Sequence, residues 1–365
     1  MPNVRILGVS VRGIASAVPD HITTLDDDAV IFGEADAKRV FKNTGVKQRH
    51  TSQSDMCASD LCEPAARQLL EQLGWEASSV DVLVLVTQSP DYVSPATACV
   101  LHARLGLGPD CAAFDVNLGC SGWVYGLWLV SALLSSGGGT RALLLVGDVV
   151  TRTMSATDRS VAPLFGDAGT ATALERDADA SPMDFVIGTD GEGARHLMVP
   201  AGGFRLRASD ANAVVRRNAD GNARSLQDTH MNGTEVFTFT LKSVPPLLKA
   251  VMARAGWTHD DVDSYVFHQA SSFMLKTLCR SCGIPVNKFV IAMENYGNTS
   301  SASIPLAICD RLRETLSTQS QRLVLAGFGV GWSWGAVALT LGPLCVLPVL
   351  VVADKPAHEP LTSSV

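Results

Sequence analysis

Charge is scarce in this sequence: only 18% of its 365 residues are Asp, Glu, Lys or Arg, and the balance is acidic, with a net charge of −7. The missing basic excess argues against nucleic acid as the main partner. Membrane-spanning runs are missing too. The one conspicuous apolar tail, Leu344 to Ala353, is too short to cross a bilayer and is interrupted by Pro348. It reads as an edge strand or docked tail followed by a disordered end, with no membrane insertion. Cysteine lacks a framework: nine residues, an odd number, are scattered from Cys57 to Cys345 with no regular spacing. With no secretory signal in view, reduced thiols in the cytoplasm are expected. Cys279 and Cys282 have CxxC spacing, but no second pair or nearby His completes a metal site, so they read as packing on an amphipathic helix.

What the chain has instead is apolar mass. At 47% hydrophobic residues it can bury a large core, and its length suggests two domains or one large double unit. Its first half alternates strand and helix signals. A strand is expected over Val4 to Ala17, then an Asp-rich loop, a short helix near Ala35 to Lys42, and a turn at Thr44-Gly45-Val46. Ser59 opens a helix with Leu61, Ala65, Ala66, Leu69, Leu70 and Leu73 on one face, closed by Gly74. Val82 to Val86 is a β-branched run of the kind covered on both faces. A helix over Ala96 to Leu105 and strands at Ala112 to Val116, Ala142 to Val146 and Thr170 to Leu174 follow. This alternation predicts layered α/β architecture.

The second half repeats the first. Gly74-Trp75 with Val80-Asp81 recurs as Gly256-Trp257 with Val262-Asp263. Asn117-Leu-Gly119-Cys120 recurs as Asn295-Tyr-Gly297-Asn298, and Leu143 to Gly147 as Leu323 to Gly327. Three matches in one order at nearly constant spacing predict two similar α/β units, 1–180 and 181–342, packed as a pseudo-twofold pair, with 343–365 as a tail. Cys120 and Asn298 then occupy equivalent helix starts, and such equivalents can face one cleft.

Cys120 sits where an apolar strand turns into a Gly-punctuated apolar helix, Ser121 to Leu134. An isolated cysteine is commonly a small buried hydrophobe. Here the flanking Gly119 and Gly122 permit a close substrate approach, and a helix N-terminus favours thiolate, which points to a nucleophile. His268 follows the β-rich Tyr265-Val-Phe and precedes a helix over Ser271 to Cys282, at the sheet edge where α/β proteins bind ligands. Asn298 alone would read as a helix N-cap. The repeat brings the three together. Trp123, Tyr125 and Trp128 fall at helical spacing and read as core.

These residues lie in segments that resemble the ketoacyl-acyl carrier protein synthase III family of the thiolase superfamily. The segments are Asp115 to Gly122, Thr157-Asp-Arg159 with Leu164 to Gly169, Met231 to Phe237, His268-Gln269-Ala270, and Gly297 to Pro305, with the Gly-rich Gly327 to Gly335. The resemblance implies a thiolase fold of duplicated units in an α/β/α/β/α arrangement. It implies Cys120 as the acyl-accepting nucleophile, His268 and Asn298 as the pair that binds the second thioester, an oxyanion loop at Gly329 and Gly331, and a homodimer. The implied reaction is a decarboxylative Claisen condensation with a malonyl thioester, using acyl-CoA or acyl carrier protein as donor and no further cofactor. Thiolases place a second Cys on the Gly-rich loop, whereas Phe328 to Gly335 contains none, which disfavours the reversible thiolase reaction.

The family's CoA grip is implied at Arg159, Arg39, Asn43 and Ser271. Arg159 matches the pattern, but Arg39 stands where Trp is usual, Asn43 where Arg is usual and Ser271 where Asn is common. Phe273 replaces an Arg used in carrier docking, while Lys276, Arg280 and the Arg205, Arg207, Arg216 and Arg217 group could meet an acidic partner. These departures point to a specialised relative. Two other readings compete with condensation: acyl transfer without decarboxylation on the same Cys120 and His268, and a catalytically silent dimeric scaffold.

Overall fold

The computed structural model describes residues 2–53, 55–219 and 221–353. Two mixed sheets carry the fold. The first runs in the order Cys345–Val346, Val9–Pro19, Ala168–Arg176, Arg141–Asp148, Val82–Val86, Ala112–Val116, with Leu350–Val352 also pairing to Val9–Pro19. The second runs Asn3–Ile6, Met183–Thr189, Ser333–Leu341, Gln321–Gly329, Ser264–Phe267, Phe289–Val290. From their second strand onward the two orders correspond position by position, and so do their parallel and antiparallel pairings. The sequence repeat is a structural one.

Five layers result. The helices Gly122–Ser135 and Ser303–Arg311 lie between the sheets, where Trp123, Val124, Leu127, Val130, Ile304 and Ile308 share one core with both inner sheet faces. Ala58–Leu73 and Thr97–Leu105 cover the outer face of the first sheet. Gly233–Ala255 and Ser272–Ser281 cover that of the second. Burial on both faces explains why Val82–Val86 and residues 142–146 of the strand Arg141–Asp148 are unbroken apolar runs. Gly233–Ala255 is long and apolar enough to cross a membrane, but Phe239, Val244, Leu247, Leu248, Val251 and Met252 are spent on the core against the second sheet.

The expected strand Val4 to Ala17 is two strands in different sheets. Leu7-Gly8 breaks the run, with Gly8 at φ +74°, so Asn3–Ile6 pairs with Met183–Thr189 while Val9–Pro19 joins the first sheet. At the other end of the chain, Cys345–Val346 and Leu350–Val352 dock as edge strands on the first sheet, as the apolar tail suggested. The sheets therefore cross the divisions drawn at 180 and 342. The disordered end expected after Ala353 lies outside the described residues. The Asp-rich segment read as a loop is the helix Leu25–Phe32, capped by Thr24, whose hydroxyl and backbone N–H exchange hydrogen bonds with Asp27. Its buried Asp28 forms a two-pronged ion pair with the buried Arg49, at 2.7 and 2.9 Å. Cys279 and Cys282 are free thiols, packed in or against the second core.

Candidate active site

Cys120 stands at the turn between the strand Ala112–Val116 and the helix Gly122–Ser135, at the helix's N-terminal end. The strand Gln321–Gly329 passes directly behind it. A Cβ on Gly329 would fall 2.7 Å from Cys120 Cβ and 2.9 Å from Sγ, so only glycine lets this backbone come so close. The next residue, Val330, directs its backbone N–H at the sulfur, and the Ser300 hydroxyl also hydrogen-bonds to it. Of the two glycines expected in the oxyanion loop, Gly329 therefore touches the thiol. Gly331 holds φ +134°, and a Cβ there would fall 3.0 Å from the Ser333 backbone nitrogen.

The helix start does not yield a thiolate at rest. Burial, and second the nearby Asp148 carboxylate, push the Cys120 thiol up to about 12, outweighing the hydrogen bonds from Val330 and Ser300. The thiolate expected from the helix start is opposed by desolvation. The free thiol is neutral, and its proton must leave as substrate arrives.

His268 follows the strand Ser264–Phe267, and its backbone N–H is anchored on Ala326 of the neighbouring strand, 2.8 Å away. Its ring is buried edge-on against Phe328, and Nδ1 lies 2.7 Å from the Ser303 hydroxyl. Burial lowers its pKa to about 3, a hydrogen bond with the Ser300 backbone working the other way, so the imidazole is neutral. Asn298 is fixed by backbone bonds to Leu164 and Gly166, and its Oδ1 accepts the Ser300 N–H at 2.9 Å. That leaves the amide nitrogen, 3.5 Å from the Ala270 carbonyl, as a donor. Ser300 holds φ +50°, the left-handed region, among the described residues the only non-glycine at positive φ.

Cys120, His268, Asn298, Phe328 and Gly329 line one cavity of about 670 Å³, so the repeat-equivalent Cys120 and Asn298 do share a cleft. A second cavity of about 590 Å³ reaches Cys120 from another side, lined by Gln88, Asn117, Thr153, Met154, Gln227 and Ser300 among others. Phe165 and Leu197 border both. The thiol thus sits in the neck between two chambers.

The residues expected to grip CoA are divided. Asn43, Arg159 and Ser271 line the first cavity, but Arg39 does not. Arg159 is committed to the protein: its guanidinium pairs with Asp36 and donates to Asn222. Arg39 also pairs with Asp36, at 2.9 Å. Ser271 caps the helix Ser272–Ser281, accepting the Met274 N–H at 3.2 Å. Trp123 is a core residue as expected, its Nε1–H donating to Thr172, and Trp128 packs half-buried against the same core; Tyr125 is half-buried outside the core, its hydroxyl donating to the Gly188 carbonyl. Ser300, Ser303, Val330, Asp36 and Asp148 were not singled out from sequence, because their roles come from proximity to residues far away in the chain.

A Gly-backed cysteine sharing a chamber with a neutral buried histidine and an oriented asparagine is a site for acyl-thioester chemistry. The sequence model for 3-oxoacyl-[acyl-carrier-protein] synthase III matches residues 114–191, and that for its C-terminal part matches residues 252–341. The β-ketoacyl-[acyl-carrier-protein] synthase III of Symbiobacterium thermophilum is 33% identical over 93% of this chain and the whole of that protein. The chain belongs to the β-ketoacyl-[acyl-carrier-protein] synthase III family. The crystal structure of the 3-oxoacyl-(acyl-carrier protein) synthase of Burkholderia xenovorans LB400 superposes with a TM-score of 0.91 at 41% identity, covering 96% of this chain and 99% of that one. That of the Pseudomonas aeruginosa PAO1 3-oxoacyl-(acyl carrier protein) synthase III gives 0.78 at 33% identity, over 94% of this chain and the full length of the other. The protein is a condensing enzyme of the synthase III type on the thiolase fold, an acyltransferase.

Proposed function

We propose that this synthase III works in two half-reactions around Cys120. Cys120 Sγ attacks the carbonyl carbon of an acyl thioester, the donor's C–S bond breaks, and the thiol proton passes to the departing sulfur. With Ser303 accepting from Nδ1–H, the opposite nitrogen of His268 is free to carry that proton. The oxyanion is met by the backbone N–H of Cys120 and by the loop amide that already faces the sulfur. A malonyl thioester then loses CO₂, and the resulting enolate oxygen accepts hydrogen bonds from His268 and the Asn298 amide. With Ser303 donating to Nδ1, His268 carries its proton on the other nitrogen and is a donor. The enolate carbon attacks the acyl thioester carbonyl, the C–C bond forms as the bond from the acyl carbon to Cys120 Sγ breaks, and the departing thiolate takes a proton from solvent to restore the neutral thiol. Decarboxylation supplies the carbanion, so no strong base is required. This fits an imidazole whose basicity burial has suppressed.

The single observation that carries the reading is the shared chamber of Cys120, His268 and Asn298. Intact-protein mass spectrometry with acyl thioesters, chased by malonyl thioester with CO₂ detection, tests it. A Cys120 adduct that disappears with CO₂ release is expected. An adduct discharged only by an alcohol, amine or thiol acceptor would replace condensation by acyl transfer.

The protein is also proposed to act as a soluble, cytoplasmic homodimer. Support comes from the strand Ala112–Val116, which ends the first sheet with partly exposed side chains and, among the described residues, no further strand beside it, an edge onto which a second copy can add. A monomeric mass by light scattering would overturn this.

A further inference from the structure

A thioester that reaches Cys120 through either chamber must leave its carrier end at the rim. Among the described residues lining the two cavities, Arg159 is the only one with a permanent charge. That one cation is already neutralised. Asp36, on the helix Glu34–Thr44, pairs with Arg159 across the rim and with Arg39 one turn along its own helix, while Asn222 accepts from the Arg159 Nε at 3.2 Å. The second cavity offers amides and hydroxyls but no charged side chain. Position 39, one turn before Asn43, is the exposed Arg39, itself paired with Asp36.

Coenzyme A would bring three phosphate groups and a nucleobase to this rim, where the one cation lining either cavity is paired with a carboxylate. A phosphopantetheine arm on a protein brings one phosphate, and its remaining binding comes from protein surface. Such surface adjoins the first cavity. Phe273, half exposed, borders both that cavity and a neighbouring groove of about 410 Å³ lined by Lys42, Lys276, Arg280, Phe289 and Ile291. Apolar contact framed by cations suits an acidic protein.

We propose that Asp36, by occupying Arg159 and Arg39, selects against nucleotide-bearing thioesters, so that the acyl group reaches Cys120 on an acidic carrier protein rather than on coenzyme A. The inference rests on the reading of Cys120 as the acylated nucleophile and adds the chemical class of the donor.

The test is the second-order rate of Cys120 acylation, read by intact mass, with one acyl group presented on coenzyme A, on pantetheine and on a holo carrier protein. In the wild-type enzyme the CoA and pantetheine thioesters should react within about threefold of each other and the carrier thioester at least about tenfold faster, because the nucleotide gains no net contact. Asp36→Asn, which keeps the shape and removes the charge, should raise the CoA rate about fivefold, the scale of one rim charge contact, and leave pantetheine unchanged. A wild-type CoA rate more than about threefold above pantetheine, or an Asp36→Asn variant with an unaltered CoA-to-pantetheine ratio, would overturn the proposal. Failure of all three donors to label Cys120 would instead remove the nucleophile reading beneath it.

Discussion

The hydroxyl of Ser303 lies 2.7 Å from Nδ1 of His268, joining the first turn of a central helix to the residue that ends a strand of the second sheet. A hydroxyl both donates and accepts, so it can hold the ring in either tautomer without turning it. Ser303→Ala should therefore leave the fold intact while slowing both acylation of Cys120 and condensation by roughly 10-fold to 100-fold through loss of ring orientation. Single-turnover rates for the two half-reactions, measured separately, check this.

Gly329 sets how close the loop amides stand to the nucleophile. Gly329→Ala would put a methyl 2.9 Å from Sγ. The expected outcome is a destabilisation of about 1–3 kcal/mol from overpacking, with acylation slowed on the order of 100-fold. Urea denaturation and burst-phase acylation separate the two effects.

The reactivity of Cys120 toward iodoacetamide should still be rising above pH 9, because burial and Asp148 hold its thiol near 12. Asp148 accepts from Gln88 N–H at 2.7 Å and from the Ser301 hydroxyl at 2.5 Å, with no cation beside it among the described residues. Asp148→Asn removes a negative neighbour, which favours the thiolate. The alkylation profile should shift to lower pH; a profile that does not move would show that Asp148 has no hold on the thiol.

His268 should contribute to acid sensitivity. Its folded pKa, about 3, lies below the 6.5 of an exposed imidazole. The unfolded chain therefore takes up a proton first as pH falls. Stability from this residue is fully present above pH 6.5 and declines below it, by at most about 1.4 kcal/mol per pH unit. In His268→Gln that component disappears. The gap between the wild-type and variant unfolding free energies should narrow, or reverse in sign, between pH 6.5 and 4.5.

Breaking the Asp28–Arg49 pair should be costly without touching the chemistry directly. Both side chains are buried, so Arg49→Ala strands a carboxylate and should destabilise the protein by about 3–5 kcal/mol. Replacing both partners with apolar residues should recover part of that loss, as a double-mutant cycle by thermal denaturation would show.

Much of this site could be read before folding was considered, for a physical reason. Cys120 and His268 each follow an apolar strand, and the duplicated pattern places Cys120 and Asn298 at equivalent helix starts. What stayed hidden depends on contacts between residues far apart in the chain. Ser303 meets His268, Asp148 meets Ser301 and Arg159 meets Asp36 across separations that no local pattern encodes. The thiolate expectation failed because a helix terminus is visible in sequence and burial depth is not. Two local features were legible and misjudged: the Thr24–Asp27 cap that starts a helix in acidic sequence, and the Leu7-Gly8 break that sends adjacent strands to different sheets.

That break has a temporal consequence. Asn3–Ile6 waits for Met183–Thr189 to complete its ladder, while Val9–Pro19 acquires its outermost neighbours only when residues 345–352 have been made. On a ribosome, both sheets would have an unsealed edge until synthesis is nearly finished. The two repeats are therefore expected to mature together rather than in sequence, with chaperones shielding those edges in the interval.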